Sequence, residues 1–145
     1  MRHSSLIYRC ALAEGILLFV FTLIHATLGL NEMLLGSKTG AINKDYSSQV
    51  IIAWIFSSVS MFLLGCWLLF LAKDLKLFQK KAWWQGLLVS GGMIFFGIIS
   101  FYLYPDVYFI IAFSLCGSIL FFPLLLFSPL FWKKKIQNKE PVMKV

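Results

Sequence analysis

CALAEGILLFVFTLIHATLGLNEMLL, residues 10–35, is an apolar run long enough to cross a bilayer, yet it carries Glu14, His25 and Glu32. At about 1.5 Å per helical residue, roughly 20 residues span a hydrocarbon core about 30 Å thick. The rest of the chain repeats the pattern, with apolar segments at about residues 10–30, 50–72, 82–104 and 107–132. Of the 145 residues 60% are hydrophobic and 13% charged, too few polar groups to coat a water-soluble domain of this size. The expected fold is all-α: a polytopic membrane protein with four transmembrane helices. One transmembrane domain covers residues 1–132, and a basic cytoplasmic tail follows over 133–145.

The connections set the expected topology. Residues 31–49 read as a long polar loop broken at Gly36 and Gly40, and residues 73–81, KDLKLFQKK, as a short basic loop. Pro105 ends the third helix and Asp106 is placed to cap the fourth, so the last two helices form an antiparallel hairpin. With four spans, the N-terminus, the 73–81 loop and the tail share one side and hold 11 of the Lys and Arg residues. The other side holds 2, Lys38 and Lys44. That asymmetry predicts both termini in the cytoplasm, in a multi-pass protein of a bacterial cytoplasmic (inner) membrane. Tyr8, Trp83, Trp84 and Trp132 then mark the inner boundary. Tyr102, Tyr104 and Tyr108 mark the outer one, with Trp54 a turn inside it. The first segment is too long for a signal-peptide core and is expected to be retained.

The net charge of +7 sits at the ends of apolar runs, where the bilayer explains it, so nucleic acid is not an expected partner. Cys10, Cys66 and Cys116 show no C-x-x-C spacing and read as small packing residues. Metalloprotease, serine-hydrolase and phosphate-loop motifs are absent. Two histidines are too few for a metal or bis-histidyl haem site, so no cofactor is expected.

The candidate site lies on the opening stretch. At about 100° per residue, Glu14, His25 and Glu32 fall on one helical stripe, provided the first helix continues past residue 30 toward Leu35; Glu14 and His25 are then about 16 Å apart along the axis. Ionisable groups at membrane depth normally face a bundle interior or a wet cavity. The neighbouring helices present small-residue faces: Trp54, Ser58, Met61 and Gly65; Gly86, Ser90, Met93, Gly97 and Ser100; Ser114, Gly117 and Ser118. Such faces let helix backbones approach. The candidate binding residues expected to face the interior are Glu14, His25, Glu32, Ser58, Ser90 and Ser114. The three serines are offered as partners for His25, and Arg9, Lys80 and Lys81 for Glu14. In the structural reading these groups are satisfied within the packing; in the functional one they line a cavity.

The segment ALAEGILLFVFTLIHA resembles the first helix of the small multidrug-resistance transporters, four-helix proteins with one membrane-embedded glutamate in the first span. The matching residue is Glu14, which the resemblance implies as the proton- and substrate-carrying group. This chain departs from that family in its greater length, its longer first loop, its added His25 and its steep charge bias. Three functions follow as expectations. The first is a non-catalytic membrane component packing with itself, as a homo-oligomer, or with a partner subunit. The second is a proton-coupled transporter of a lipophilic or cationic solute using Glu14. The third is a lipid-binding or lipid-modifying enzyme using His25 and Glu14, for which four-span sterol isomerases are a fold-level analogy.

Overall fold

The computed structural model describes residues 2–103, 105 and 107–132. These residues are helical apart from the short connections at 40–43, 77–79, 105 and 127, with no strand among them. Helix α1 (Arg2–Ile24) passes through a π-helical turn (His25–Gly29) into α2 (Leu30–Thr39). Helix α3 covers Lys44–Lys76 and α4 covers Lys80–Leu103. The last part of the chain is broken into α5 (Val107–Phe109), a second π-helical stretch (Ile110–Leu115), α6 (Cys116–Leu126) and α7 (Ser128–Trp132). Three helices are long and apolar enough to cross a membrane: His3–Thr39, Asp45–Lys76 and Lys80–Leu103. Ile110–Leu126 is a shorter apolar helix.

One expectation about the connections is corrected. Residues 31–49 do not form a long loop. Helix α2 runs through Gly36 and stops at Gly40, whose left-handed backbone (φ 78°) ends it, and α3 restarts at Lys44. Asn43 caps that start, its side chain accepting from the Asp45 N–H at 2.9 Å. The apolar run therefore gives out before the helix does, because helical hydrogen bonds continue into the polar zone at no extra cost. Pro123 sits inside α6 without ending it; the break comes at Phe127, ahead of Pro129. The expected Asp106 cap, Tyr104 and the 133–145 tail lie outside the described residues.

The 73–81 connection tightens to three residues. The Gln79 N–H donates to the Asp74 carbonyl and the Phe78 N–H to the Leu75 carbonyl, the paired bonds that close a helix C-terminus. The residue between them needs a left-handed backbone and here is Phe78 (φ 54°) rather than glycine. Its ring packs edge-on against Phe131 at 5.2 Å, which offsets the strain of that conformation. Trp83 donates its indole N–H to the Leu124 carbonyl in the last turn of α6, at 2.9 Å, satisfying an acceptor that the helix end leaves open. Lys80 lies over the Trp132 ring and Lys76 over Tyr8.

Helix α1 is the centre of the assembly. It packs along α3 on one side and α6 on the other, and α4 covers α6 and the second π stretch. The α4 and α6 backbones approach closely at Gly117: a Cβ there would sit 2.6 Å from the Ser90 carbonyl oxygen. Only a residue without a side chain lets the two backbones approach so far. Buried apolar residues, among them Leu18, Leu68, Leu75, Leu120 and Leu124, fill the space between the helices. Many large apolar side chains stay exposed on the outer faces, from Val20 and Phe56 to Leu88 and Leu126, as a lipid-facing surface requires.

Candidate functional site: a buried carboxyl between three helices

Glu14 sits on α1 halfway between its start and the π turn, with 0% of its surface exposed. A carboxyl so placed must find hydrogen bonds inside the protein. It finds two. Ser90 of α4 donates its hydroxyl to Oε1 at 2.8 Å. The main-chain N–H of Leu120 in α6 donates to Oε2 at 3.2 Å. Ser90 is itself 0% exposed. The Cys116 thiol, one turn before Leu120, lies 3.8 Å from the Glu14 carbonyl oxygen as a weak donor. One side chain thus ties α1 to α4 and α6 together. The Leu120 N–H lies one turn after the change from π- to α-helix at Cys116, where the backbone register slips.

The expected charged partners of Glu14 are not used. Among the described residues it makes no ion pair. Arg9 is exposed and lines a separate open cavity of about 410 Å³ with His3, Ser5 and Leu6. Lys80 is engaged with Trp132. Both nearby donors are shorter-range and uncharged, and they cost no second buried charge.

His25 opens the first π turn and is half-buried. Its ring stacks on Trp54 of α3 with centroids 4.0 Å apart and planes 13° apart. Its Nε2 lies 2.8 Å from the Ser57 hydroxyl oxygen. The same hydroxyl lies 2.8 Å from the Trp54 carbonyl oxygen, and with its proton given to that carbonyl it accepts from Nε2–H of His25. The Trp54 indole N–H returns to the His25 carbonyl at 2.9 Å, taking an acceptor freed by the wider turn. Gly29, the last residue of the π turn, makes room for this arrangement: any Cβ there would overlap the Trp54 ring. The histidine therefore belongs to a latch between α1 and α3.

The serines are distributed differently from expectation. None of Ser58, Ser90 and Ser114 meets His25. All three are buried as expected. Ser58 bonds back to the Trp54 carbonyl of its own helix, Ser90 serves Glu14, and Ser114 reaches across to the Ile94 carbonyl of α4 at 3.0 Å. Glu32 is corrected outright: it is exposed. Its projection onto the Glu14 stripe assumed an unbroken α-helix. A π turn inserts one residue, which rotates everything beyond it by roughly 100°. Ser57 and the role of Trp54 were missed. Both share the α3 face that meets α1, since residues three apart are neighbours on a helix, and that is the signal that was present.

Compared with known protein families, characterised proteins and solved structures, the chain matches no family model, no curated protein and no solved structure. The fold and the site define an all-helical protein with three described helices long and apolar enough to cross a membrane. Its buried carboxyl is shared by three helices.

Proposed function

We propose that this chain is a non-catalytic, four-span component of a bacterial cytoplasmic membrane that packs with itself or with a partner subunit. In this reading Glu14 fastens the helices and carries neither proton nor substrate. The observation that carries it is the double occupancy of the Glu14 carboxyl by donors from two other helices, at zero exposure. Neither the cavity beside His3 and Arg9 nor the open groove along Ser60–Asp74 is lined by Glu14 or His25. The acid–base alternative is disfavoured because the two groups stand about 16 Å apart along the helix and each is engaged by its own partners.

Proteoliposomes with an imposed pH gradient test the transporter alternative directly. Proton flux is expected to stay at the level of protein-free vesicles for the parent chain and for Glu14→Gln alike. Flux that needs Glu14 would replace the structural reading with proton coupling.

Four spans are part of the proposal. Residues 107–126, helical up to the break at Phe127, cover on the order of 30 Å and serve as the fourth crossing. The 11-to-2 distribution of Lys and Arg then puts both termini and the Leu77–Gln79 connection in the cytoplasm. In a cysteine-free background, single cysteines at Lys38 and Leu77 are expected to react with impermeant reagent from opposite sides of the membrane. Reaction of both from the same side rules this topology out.

A further inference from the structure

Helices α3 and α4 are joined by three residues yet make little contact beyond their joined ends. The gap beside them is an open groove of about 820 Å³. Its wall is a stripe of α3 from Ser60 through Leu64, Trp67 and Phe70 to Asp74, with Gln85 of α4 closing the loop end. Trp67 is 52% and Phe70 82% exposed, so this apolar wall is uncovered. At about 1.5 Å per residue the stripe is about 21 Å long, more than the depth of one leaflet of a core about 30 Å thick. The volume lies within the range of about 300–1,000 Å³ that pockets for small molecules occupy.

Charge at the mouth distinguishes this groove from the ordinary lipid-facing surface. The 73–81 segment carries Lys73, Lys76, Lys80 and Lys81 against one acid, Asp74. Asp74 lines the groove, and its carboxyl accepts from the Gln79 amide at 3.1 Å. Lys76 and Lys80 are drawn off over Tyr8 and Trp132. Lys73 and Lys81 are exposed. Lys73 lies two turns from Cys66, which lines the groove, and Lys81 one turn from Gln85, so each shares a helical face with a lining residue. An apolar trough whose mouth is flanked by two such lysines has the form of a site for an acyl chain with an anionic head.

We propose that the α3–α4 groove binds an anionic phospholipid, its acyl chain along Leu64, Trp67 and Phe70 and its phosphate at Lys73 and Lys81. Native mass spectrometry in mild detergent, with phosphatidylglycerol or phosphatidylcholine added, tests it. The parent chain is expected to retain one phosphatidylglycerol at least tenfold more readily than phosphatidylcholine. The pair Lys73→Gln and Lys81→Gln is expected to abolish that preference, whereas Lys76→Gln with Lys80→Gln leaves it. Leu64→Trp, which fills the trough, is expected to weaken binding of both lipids. Equal retention of the two lipids, equal effects of the two lysine pairs, or a lipid-free dimer with the groove shielded from labelling at Cys66 would each overturn the proposal. The last result would assign the groove to a second copy of the chain.

Discussion

Replacing Glu14 by alanine is expected to destabilise the protein by about 2–4 kcal/mol, whereas glutamine at the same position is expected to cost about 1 kcal/mol or less. The asymmetry follows from the donors. Alanine removes the acceptor for both the Ser90 hydroxyl and the Leu120 N–H, and leaves a void in a position with no exposed surface. The Ser90 hydroxyl can turn back to a carbonyl of its own helix, but the link between helices is lost. Glutamine keeps the shape. Its carbonyl oxygen can accept from Leu120 while its amide donates to the Ser90 oxygen, so the three helices stay tied. Interhelical hydrogen bonds inside bilayers average about 0.6 kcal/mol and reach about 1.7, so the bonds alone account for the smaller part and the void for the rest. Denaturation in mixed micelles reads these differences. A double-mutant cycle with Ser90→Ala should give a coupling of about 0.5–1.7 kcal/mol. An alanine variant as stable as the parent chain would falsify the role of fastener.

The second large effect is expected at Gly117. Adding a methyl group there puts a carbon 2.6 Å from the Ser90 carbonyl oxygen, 3.0 Å from Met93 Cβ and 3.2 Å from Ile94 Cγ1. The nearest atom is main chain, so no side-chain rotation relieves the clash, and α4 must move away from α6. Overpacking of this kind costs about 1–3 kcal/mol. Separating the helices also pulls Ser90 from Glu14, so Gly117→Ala and Glu14→Ala should combine for less than the sum of their separate costs. Gly92, on the same helix as Ser90, is the control. A Cβ there meets nothing within 4 Å, so Gly92→Ala should be neutral or stabilise by up to about 1 kcal/mol through helix propensity. Thermal unfolding in detergent checks the pair, and equal midpoints for the two alanine variants would show that the approach at Gly117 does not limit packing.

What was legible in the sequence, and what was not, divides along one physical line. Helix formation and the three long apolar helices follow from properties summed along single segments. A run of apolar residues lowers its own transfer free energy wherever its neighbours lie, and in lipid the backbone has to bond within the segment. The burial of Glu14 was legible for the same reason: an isolated carboxyl in such a run has nowhere favourable to point except inward. Its partners were not. Helical periodicity places Ser90 on a small-residue face, but nothing local couples residue 14 to residues 90 and 120. The Leu120 N–H is a backbone group with no sequence signature. Glu32 shows the same limit from the other side. Its angular position depends on one inserted residue in the turn His25–Gly29, and that turn is held by the Trp54 indole N–H at the His25 carbonyl and by the space Gly29 leaves for the ring. By itself, then, the sequence determined which segments are apolar helix and that Glu14 turns inward. The tertiary structure alone decided which donors meet its carboxyl, that Ser57 rather than Ser58 meets His25, and that Glu32 faces outward, because each depends on contacts between helices that no single-helix period contains.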